Sequence, residues 1–426
     1  MEELAELGRT VVQQQGAISA LRSELSLCRH EVESLRDCLE ENGVIEQVRF
    51  FVHLHRRCFE ASCARHGVSR DLRFDTVFDT HSVAYNVGLL VGSTTMRSLR
   101  EVSKPISPVA TDILGTLGPG HVYVCGGFEG ALALSSVERF DPTTGEWEAL
   151  PPMSEARQYT CAGVVGGRIF VCGGWGGPQP VASVERLDPG SGTWRTMPPM
   201  LSARWGASAG VVGGRLHICG GLDESRQPLK SVERFDPLSV EVLEGRMDAC
   251  SMPFVQAEPW QAIAEMSERR GWPAAGVLGG WLYVCGGRDE QREPLSSVER
   301  LNPGMGGWEP LSSMGAQRAG AAAAAASGRL YVCGGAFGAM MLSSAERFDP
   351  KANDGKGVWE TLPPMVGRRA YVAAAGVAGQ LHVFGGSDGG QCMGTAERFD
   401  PTLFQWMALP QLTERRSGAA AVAVLG

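Results

Sequence analysis

Five cysteines occur in the same local sequence, each directly before a pair of glycines. They follow apolar runs such as VYVCGG and LHICGG, and they are Cys125, Cys172, Cys219, Cys285 and Cys333. Thiolates repeated in this way could form a metal centre or a redox ring. In a sixth copy, HVFGG, Phe384 replaces the cysteine, so the position does not require sulfur. We therefore interpret these cysteines as small apolar packing residues.

A second group of potential metal ligands lies between residues 53 and 66. Its members are His53, His55, Cys58, Cys63 and His66. The segment has helical periodicity, and one helix cannot direct four of these side chains at one ion. The paired ligand spacing of a zinc site is also absent. We expect neither a metal nor a cofactor.

Six arginines share one spacing, each ten residues after a tryptophan. They are Arg157, Arg204, Arg270, Arg318, Arg369 and Arg416. Two roles are open for them. In the first, they belong to a hydrogen-bonded network, together with recurring Glu-Arg pairs, that joins neighbouring repeats. In the second, some of them bind acidic groups of a ligand, because a guanidinium grips a carboxylate with two parallel hydrogen bonds.

Aromatic residues near these arginines differ from one repeat to the next. Those that follow the arginines are Tyr159, Trp205, Trp272 and Tyr371. The turns after the glycine pairs carry Phe128, Trp175, Arg288 and Phe337, and in the other two repeats Asp223 and Asp388. Exposed aromatic rings interleaved with arginine are typical of protein-binding hot spots. We predict a partner-binding face from the whole set; the alternative is that individual rings only pack between neighbouring loops.

The elements that position these residues are repeats of about 47 residues. The glycine pairs begin at Gly126, Gly173, Gly220, Gly286, Gly334 and Gly385. Each is followed by a motif such as VERFDP or AERFDP and then by a tryptophan. The third interval is longer because residues 238–257 are inserted before Trp260. Each repeat contains four short β-like runs between turns, which predicts one propeller blade per repeat.

The GG…(F/L)DP…W pattern resembles kelch repeats over about three quarters of the chain. The resemblance implies an all-β, six-bladed propeller over residues 111–426. The first repeat lacks the strand before GHVYVCGG, and the chain finishes with RRSGAAAVAVLG. We therefore predict that a C-terminal strand closes blade one and removes an open edge. In kelch proteins the loop before the innermost strand lies on a partner-binding face, and the six arginines match that loop.

Kelch propellers of ubiquitin-ligase adaptors recruit substrates and follow a BTB domain; this sequence contains no recognisable BTB domain. Residues 1–43 instead carry a heptad repeat, which predicts a parallel coiled-coil homodimer. Its core positions include Leu4, Leu7, Val11, Ile18, Leu21, Leu25, Val32, Leu35 and Leu39. The alternative is a single amphipathic helix that packs on the rest of the protein. Residues 44–110 are expected to form a helical or irregular connecting region.

The composition and the motifs of the sequence exclude several classes of function. The net charge of −8 argues against a nucleic-acid partner. The acidic N-terminus and the lack of a long apolar run favour a cytoplasmic or nuclear protein without a membrane partner. The propeller has three histidines, of which His217 and His382 take positions of core aromatic residues, and no catalytic motif occurs. We therefore expect a non-enzymatic adaptor or scaffold that binds a protein or peptide. The alternatives are a propeller enzyme with a small-molecule site at the propeller mouth, and an actin- or cytoskeleton-binding protein.

Overall fold

The computed structural model describes residues 120–237, 239–240, 258–302, 306–353 and 356–424. They belong to one compact unit and form six four-stranded antiparallel sheets, so the predicted six-bladed propeller is confirmed. The predicted coiled coil at 1–43 with its heptad residues, the connecting region at 44–110 and most of the insertion at 238–257 lie outside the described residues. No described helix is long and apolar enough to cross a membrane.

Each blade contains four strands, which follow one another from the propeller axis outward. Blade 1 consists of β28 (Ala420–Val424), β1 (His121–Cys125), β4 (Val137–Phe140) and β5 (Trp147–Leu150). Blade 2 consists of β6 (Cys161–Val165), β7 (Arg168–Cys172), β8 (Val184–Asp188) and β9 (Thr193–Met197). Blade 3 consists of β10 (Ser208–Val212), β11 (Arg215–Cys219), β12 (Val232–Phe235) and β13 (Trp260–Ile263).

The other three blades repeat this order. Blade 4 consists of β14 (Ala274–Leu278), β15 (Trp281–Cys285), β16 (Val298–Asn302) and β17 (Gly307–Leu311). Blade 5 consists of β18 (Ala322–Ala326), β19 (Arg329–Cys333), β22 (Ala345–Asp349) and β23 (Val358–Leu362). Blade 6 consists of β24 (Ala373–Val377), β25 (Gln380–Phe384), β26 (Ala396–Asp400) and β27 (Gln405–Leu409). Two short hairpins join β2 (Phe128–Glu129) to β3 (Leu132–Ala133) and β20 (Ala336–Phe337) to β21 (Met340–Met341).

The C-terminal strand closes the ring, as predicted. β28 pairs antiparallel with β1 from His121 opposite Val424 to Cys125 opposite Ala420. It also packs against β24 of blade 6 and β6 of blade 2. The innermost strand of blade 1 therefore comes from the far end of the sequence, and β1 is paired on both sides, with β28 and with β4.

Small residues dominate the innermost strands because the blades converge at the axis. A Cβ atom added to Gly163 would stand 2.4 Å from Leu216 of the next blade, and one added to Gly210 would stand 2.4 Å from Leu282. At the outer rim the blades diverge, and the tryptophan of each repeat links them. Trp147, for example, packs on Phe140 with a centroid distance of 4.9 Å and donates its indole N–H to a backbone carbonyl of blade 6.

The recurring cysteines are buried packing residues at the ends of the second strands. Cys125, Cys285 and Cys333 are at most 1% exposed, and burial raises the pKa of each thiol to about 12. The thiols therefore stay protonated at neutral pH. His217 and His382 are also buried, and burial lowers the pKa of each imidazole to about 4. In the described part of the chain, no group of three or more His, Cys, Asp or Glu side chains is placed to hold a metal ion.

The propeller has two different faces. The turn face carries the tight turns between first and second strands, such as Gly166–Gly167, and the Asp-Pro turns between third and fourth strands. The loop face carries the loops that follow the glycine pairs and those that lead into each innermost strand. β1 begins on the turn face, and β12 ends on it.

Candidate functional site

The six arginines with a common spacing are buried at the blade junctions, each at most 1% exposed. Each forms an ion pair with the glutamate of the VER or AER motif in the blade that follows. These pairs are Arg157–Glu185, Arg204–Glu233, Arg270–Glu299, Arg318–Glu346, Arg369–Glu397 and Arg416–Glu138. The last pair joins blade 6 to blade 1.

Arg157 shows how such a residue joins two blades. Its backbone N–H donates to Leu134 O, and its carbonyl accepts from Gly127 N, so its main chain is tied to blade 1. Its guanidinium donates to Gly173 O at 3.1 Å and to Glu185 Oε1 at 3.0 Å, both in blade 2. This placement corrects the expectation that the six arginines contact a ligand, because their guanidinium groups are enclosed and already paired. The other role, a network between blades, describes their contacts.

Two residues after each arginine, the chain forms a ring around the axis that we call the axial ring. Its members are Tyr159, Gly206, Trp272, Gly320, Tyr371 and Gly418. All six have positive φ, between 49° and 64°. The backbone N–H of each donates to the carbonyl of the member before it, at 2.7 to 3.0 Å, and the ring closes from Tyr159 to Gly418. Six consecutive hydrogen bonds therefore connect all six blades at the loop face.

Aromatic residues and glycines alternate around the axial ring, and this alternation closes the propeller at its axis. A Cβ atom added to Gly206 would stand 2.5 Å from the Trp272 ring, so each aromatic side chain occupies the space over a glycine of the preceding blade. The rings of Tyr159, Trp272 and Tyr371 meet with centroid distances of 5.3 to 6.0 Å. The cavity that these residues line has a volume of about 80 Å³.

Three further rings extend this group outward over blades 1 to 3. Phe128 lies 5.2 Å from Tyr159, Trp205 lies 5.1 Å from Trp272, and Trp175 lies 5.1 Å from Trp205, all between ring centroids. We define the aromatic cluster as Phe128, Tyr159, Trp175, Trp205, Trp272 and Tyr371. All six side chains are half-buried. The structure thus brings together six of the aromatic residues predicted from the sequence, and they pack on one another while keeping part of their surface exposed.

Phe337 lies outside the aromatic cluster. The residue equivalent to Phe128 in blade 5 is Ala336, because Ala336 bridges Ala319 in the way that Phe128 bridges Ser417. Phe337 is one position further along the hairpin β20–β21 and is 47% exposed. Further exposed large apolar side chains stand in loops of the same face. They are Leu132, Leu201, Met340 and Val366.

Arg288 differs from the buried arginines. It follows the glycine pair of blade 4 and bridges Gly271 through the backbone. Its guanidinium carbon lies 3.9 Å from the centroid of the Trp272 ring. The side chain is half-buried, and burial is the main cause that lowers the pKa of its guanidinium. Among the residues singled out at the turns after the glycine pairs, Arg288 is the one cation.

Comparisons with known proteins agree with this architecture. Six closed four-stranded blades joined by recurring Arg–Glu pairs define a β-propeller built from repeats. A family model described as the Kelch motif matches residues 116–154, 156–201, 203–239, 270–315, 317–366 and 368–413. These segments make up more than half of the sequence, and the chain belongs to the kelch-repeat family.

The chain also shares its fold with a solved structure. No curated protein sequence matches the chain. Among solved structures, that of YjhT is similar, with a TM-score of 0.55 and 15% sequence identity. The match covers 69% of this chain and 99% of YjhT. At this identity the similarity shows a shared fold.

Proposed function

We propose that this chain is a non-enzymatic interaction module, an adaptor or scaffold, that binds a protein or peptide partner on the loop face of its propeller. The observation that carries the proposal is the aromatic cluster, six half-buried rings on one face with exposed apolar side chains around them. Aromatic residues are enriched in binding hot spots, and adjoining exposed apolar groups are typical of interaction surfaces. Two classes of protein partner fit this proposal: a substrate of a ubiquitin ligase, and actin or another cytoskeletal protein. Both would be bound in the cytoplasm or nucleus.

The size of the axial cavity favours this role over a small-molecule enzyme. Pockets for small ligands usually have volumes of about 300 Å³ or more. The cavity beside Tyr159, Trp272 and Tyr371 has about 80 Å³, because the three rings fill the mouth. A partner that rests on the rings, rather than one that enters the channel, fits this geometry.

Replacing Trp205 with alanine tests the partner-binding face. The indole is half-buried and contacts Trp175, Tyr159 and Trp272, so truncation removes exposed ring surface from the middle of the aromatic cluster. Hot-spot truncations cost about 2 kcal/mol or more, so we expect partner affinity to fall by about 30-fold. Affinity purification with quantitative mass spectrometry identifies the partner, and titration of the purified partner measures the loss.

The matched control is Phe404→Ala, which removes an aromatic ring, 39% exposed, from the turn face. It should leave partner affinity unchanged. Equal binding by wild type and Trp205→Ala, with both proteins folded by circular dichroism, would argue against the loop face as the binding surface.

Dimerisation through residues 1–43 is the second part of the proposal. A parallel coiled coil would present two copies of the loop face and raise the avidity for a repetitive partner. β1 begins on the turn face, whereas the aromatic cluster lies on the loop face. Polar substitutions of Leu21, Leu25 and Leu35 should therefore yield a monomer in sedimentation velocity without changing binding of a monovalent partner. A dimer that persists in this variant would contradict the coiled-coil interface.

A further inference from the structure

We propose that Arg288 binds a carboxylate of the partner, the side chain of an aspartate or glutamate that stands beside an apolar residue in a peptide segment. The inference rests on the protein-binding role proposed above and assigns a chemical class to the partner.

Arg288 differs in charge from the residues at the equivalent position of the other blades. The residue directly after the glycine pair makes the same backbone bridge in every blade. The other five residues at this position are Phe128, Trp175, Leu222, Ala336 and Ser387. None of them has a charge, and all six blades form this bridge. A cation at this position is therefore not needed to build a blade.

Arg288 has no anionic partner among the described residues. Neighbouring carboxylates are engaged elsewhere: Glu290 pairs with Arg269 at 2.6 Å, and Asp289 accepts the backbone N–H of Glu293 at 2.9 Å. The six buried arginines, by contrast, all have carboxylate partners. A partly desolvated guanidinium without a counter-ion is unfavourable, and an incoming carboxylate would satisfy it.

The Arg288 side chain is also held in one orientation. Trp272 holds the guanidinium by a cation–π contact at 3.9 Å, which restricts the side chain before a ligand arrives. A cation–π contact leaves N–H groups of the guanidinium free to donate two parallel hydrogen bonds to a carboxylate. The adjacent blade carries the exposed apolar residues Phe337 and Met340, which suit an apolar neighbour of the acidic residue.

The charge of the site favours a carboxylate over a phosphate. Recognition of phosphorylated motifs usually relies on clustered arginines. In blade 4 one cation stands at the bridging position, Arg292 of the same loop is close enough to lower its pKa, and Asp289, Glu290 and Glu293 of that loop offset the added positive charge. A group with a single negative charge is therefore better matched than a doubly charged phosphate.

Peptide display on the full-length chain tests the inference. Random 12-residue peptides are selected, and the enriched peptides are synthesised with a fluorescent label for anisotropy titration. We expect the enriched peptides to share an aspartate or glutamate next to an apolar residue. Replacing that residue by asparagine or glutamine should weaken binding by roughly 10- to 100-fold, the range for a lost charged hydrogen bond.

Protein variants identify the arginine involved. Arg288→Gln should cause a similar loss, and it should cause no additional loss with the amide peptide, since the same contact is already missing. Arg195→Gln removes the same charge from an exposed position on β9 and should bind as wild type does. Arg288→Lys keeps the charge without the planar fork and should bind with intermediate affinity.

The outcomes separate this inference from the proposed function. Enriched peptides that depend on Trp205 but carry no acidic residue, or that bind Arg288→Gln as well as wild type, would overturn the carboxylate site and leave the binding face intact. Peptides that bind only when phosphorylated would overturn it in favour of a phosphate. Failure to enrich any peptide that depends on Trp205 would count against the binding face itself, and the carboxylate site would fall with it.

Discussion

A chain that lacks residues 417–426 is expected to lose the cooperative unfolding of its propeller. The deletion removes β28, whose residues pair with the whole length of β1. Val422 and Val424 are at least 91% buried, and burial of two valines alone contributes about 3–6 kcal/mol. The deletion also removes Gly418, so two hydrogen bonds of the axial ring disappear. The loss is comparable with the net stability of a typical domain.

Tryptophan fluorescence in urea measures this effect selectively. All ten tryptophans lie between residues 147 and 406, so the signal reports the propeller and not the N-terminal region. The truncated chain should show a lower midpoint and a smaller dependence of unfolding free energy on urea, since less surface is buried at the start. A synthetic peptide of residues 412–426 should restore part of the transition, whereas a scrambled peptide should not. An unchanged midpoint after truncation would show that closure by β28 contributes little.

The closing strand was predictable because it follows from counting. The repeat period fixes four strands per blade, and the first repeat has three of them, the last being its tryptophan strand, before the innermost strand of the next blade begins. The C-terminal AAAVAV segment is the missing one. The order of the elements along the chain is sufficient to place this strand, whichever way its side chains point.

The sequence did not determine in which direction the side chains of the six recurring arginines point. Arg157 and its equivalents occupy a loop that in kelch proteins faces a partner, yet the side chains turn inward to glutamates. A signal for this was present: Arg157 and Glu185 are 28 residues apart, and each of the next four arginines has a glutamate 28 or 29 residues ahead. A constant spacing of opposite charges in every repeat indicates a pair inside the fold.

The axial ring could not be derived from spacing alone. The alternation of Tyr159, Gly206, Trp272 and Gly320 is visible in the sequence, but its meaning depends on closure. Gly418, from the far end of the chain, is the neighbour that completes the ring and provides space for Tyr159. The position of Phe337 could not be derived from spacing either. It stands one residue further along its hairpin than the buried Ala336, and its ring is therefore exposed.

Replacing Glu299 with glutamine should destabilise the propeller strongly, because it removes the buried negative charge that faces Arg270 at a blade junction. Both side chains are at most 2% exposed. Arg270 donates from Nε and Nη2 to Glu299 Oε1, at 3.0 and 2.9 Å, and Oε2 accepts the backbone N–H of Ser267 at 2.8 Å. Breaking a buried ion pair from one side costs about 3–5 kcal/mol. Glu268, 3.0 Å from Arg270 Nη2 and 45% exposed, offsets part of the remaining charge, so we expect a loss of about 3 kcal/mol. The urea midpoint by tryptophan fluorescence should fall accordingly.

The same blade supplies a matched control in the exposed pair Arg300–Glu309, whose glutamate is 45% exposed. Glu309→Gln is the same chemical change and should cost at most about 1 kcal/mol, as exposed ion pairs generally do. The double variant Arg270→Met with Glu299→Leu separates charge from packing: with both charges removed, it should be more stable than Glu299→Gln. If Glu299→Gln costs no more than Glu309→Gln, the recurring arginines do not hold the blades together by charge. Their presence in every repeat would then require another cause, and a role at the loop face would have to be considered again.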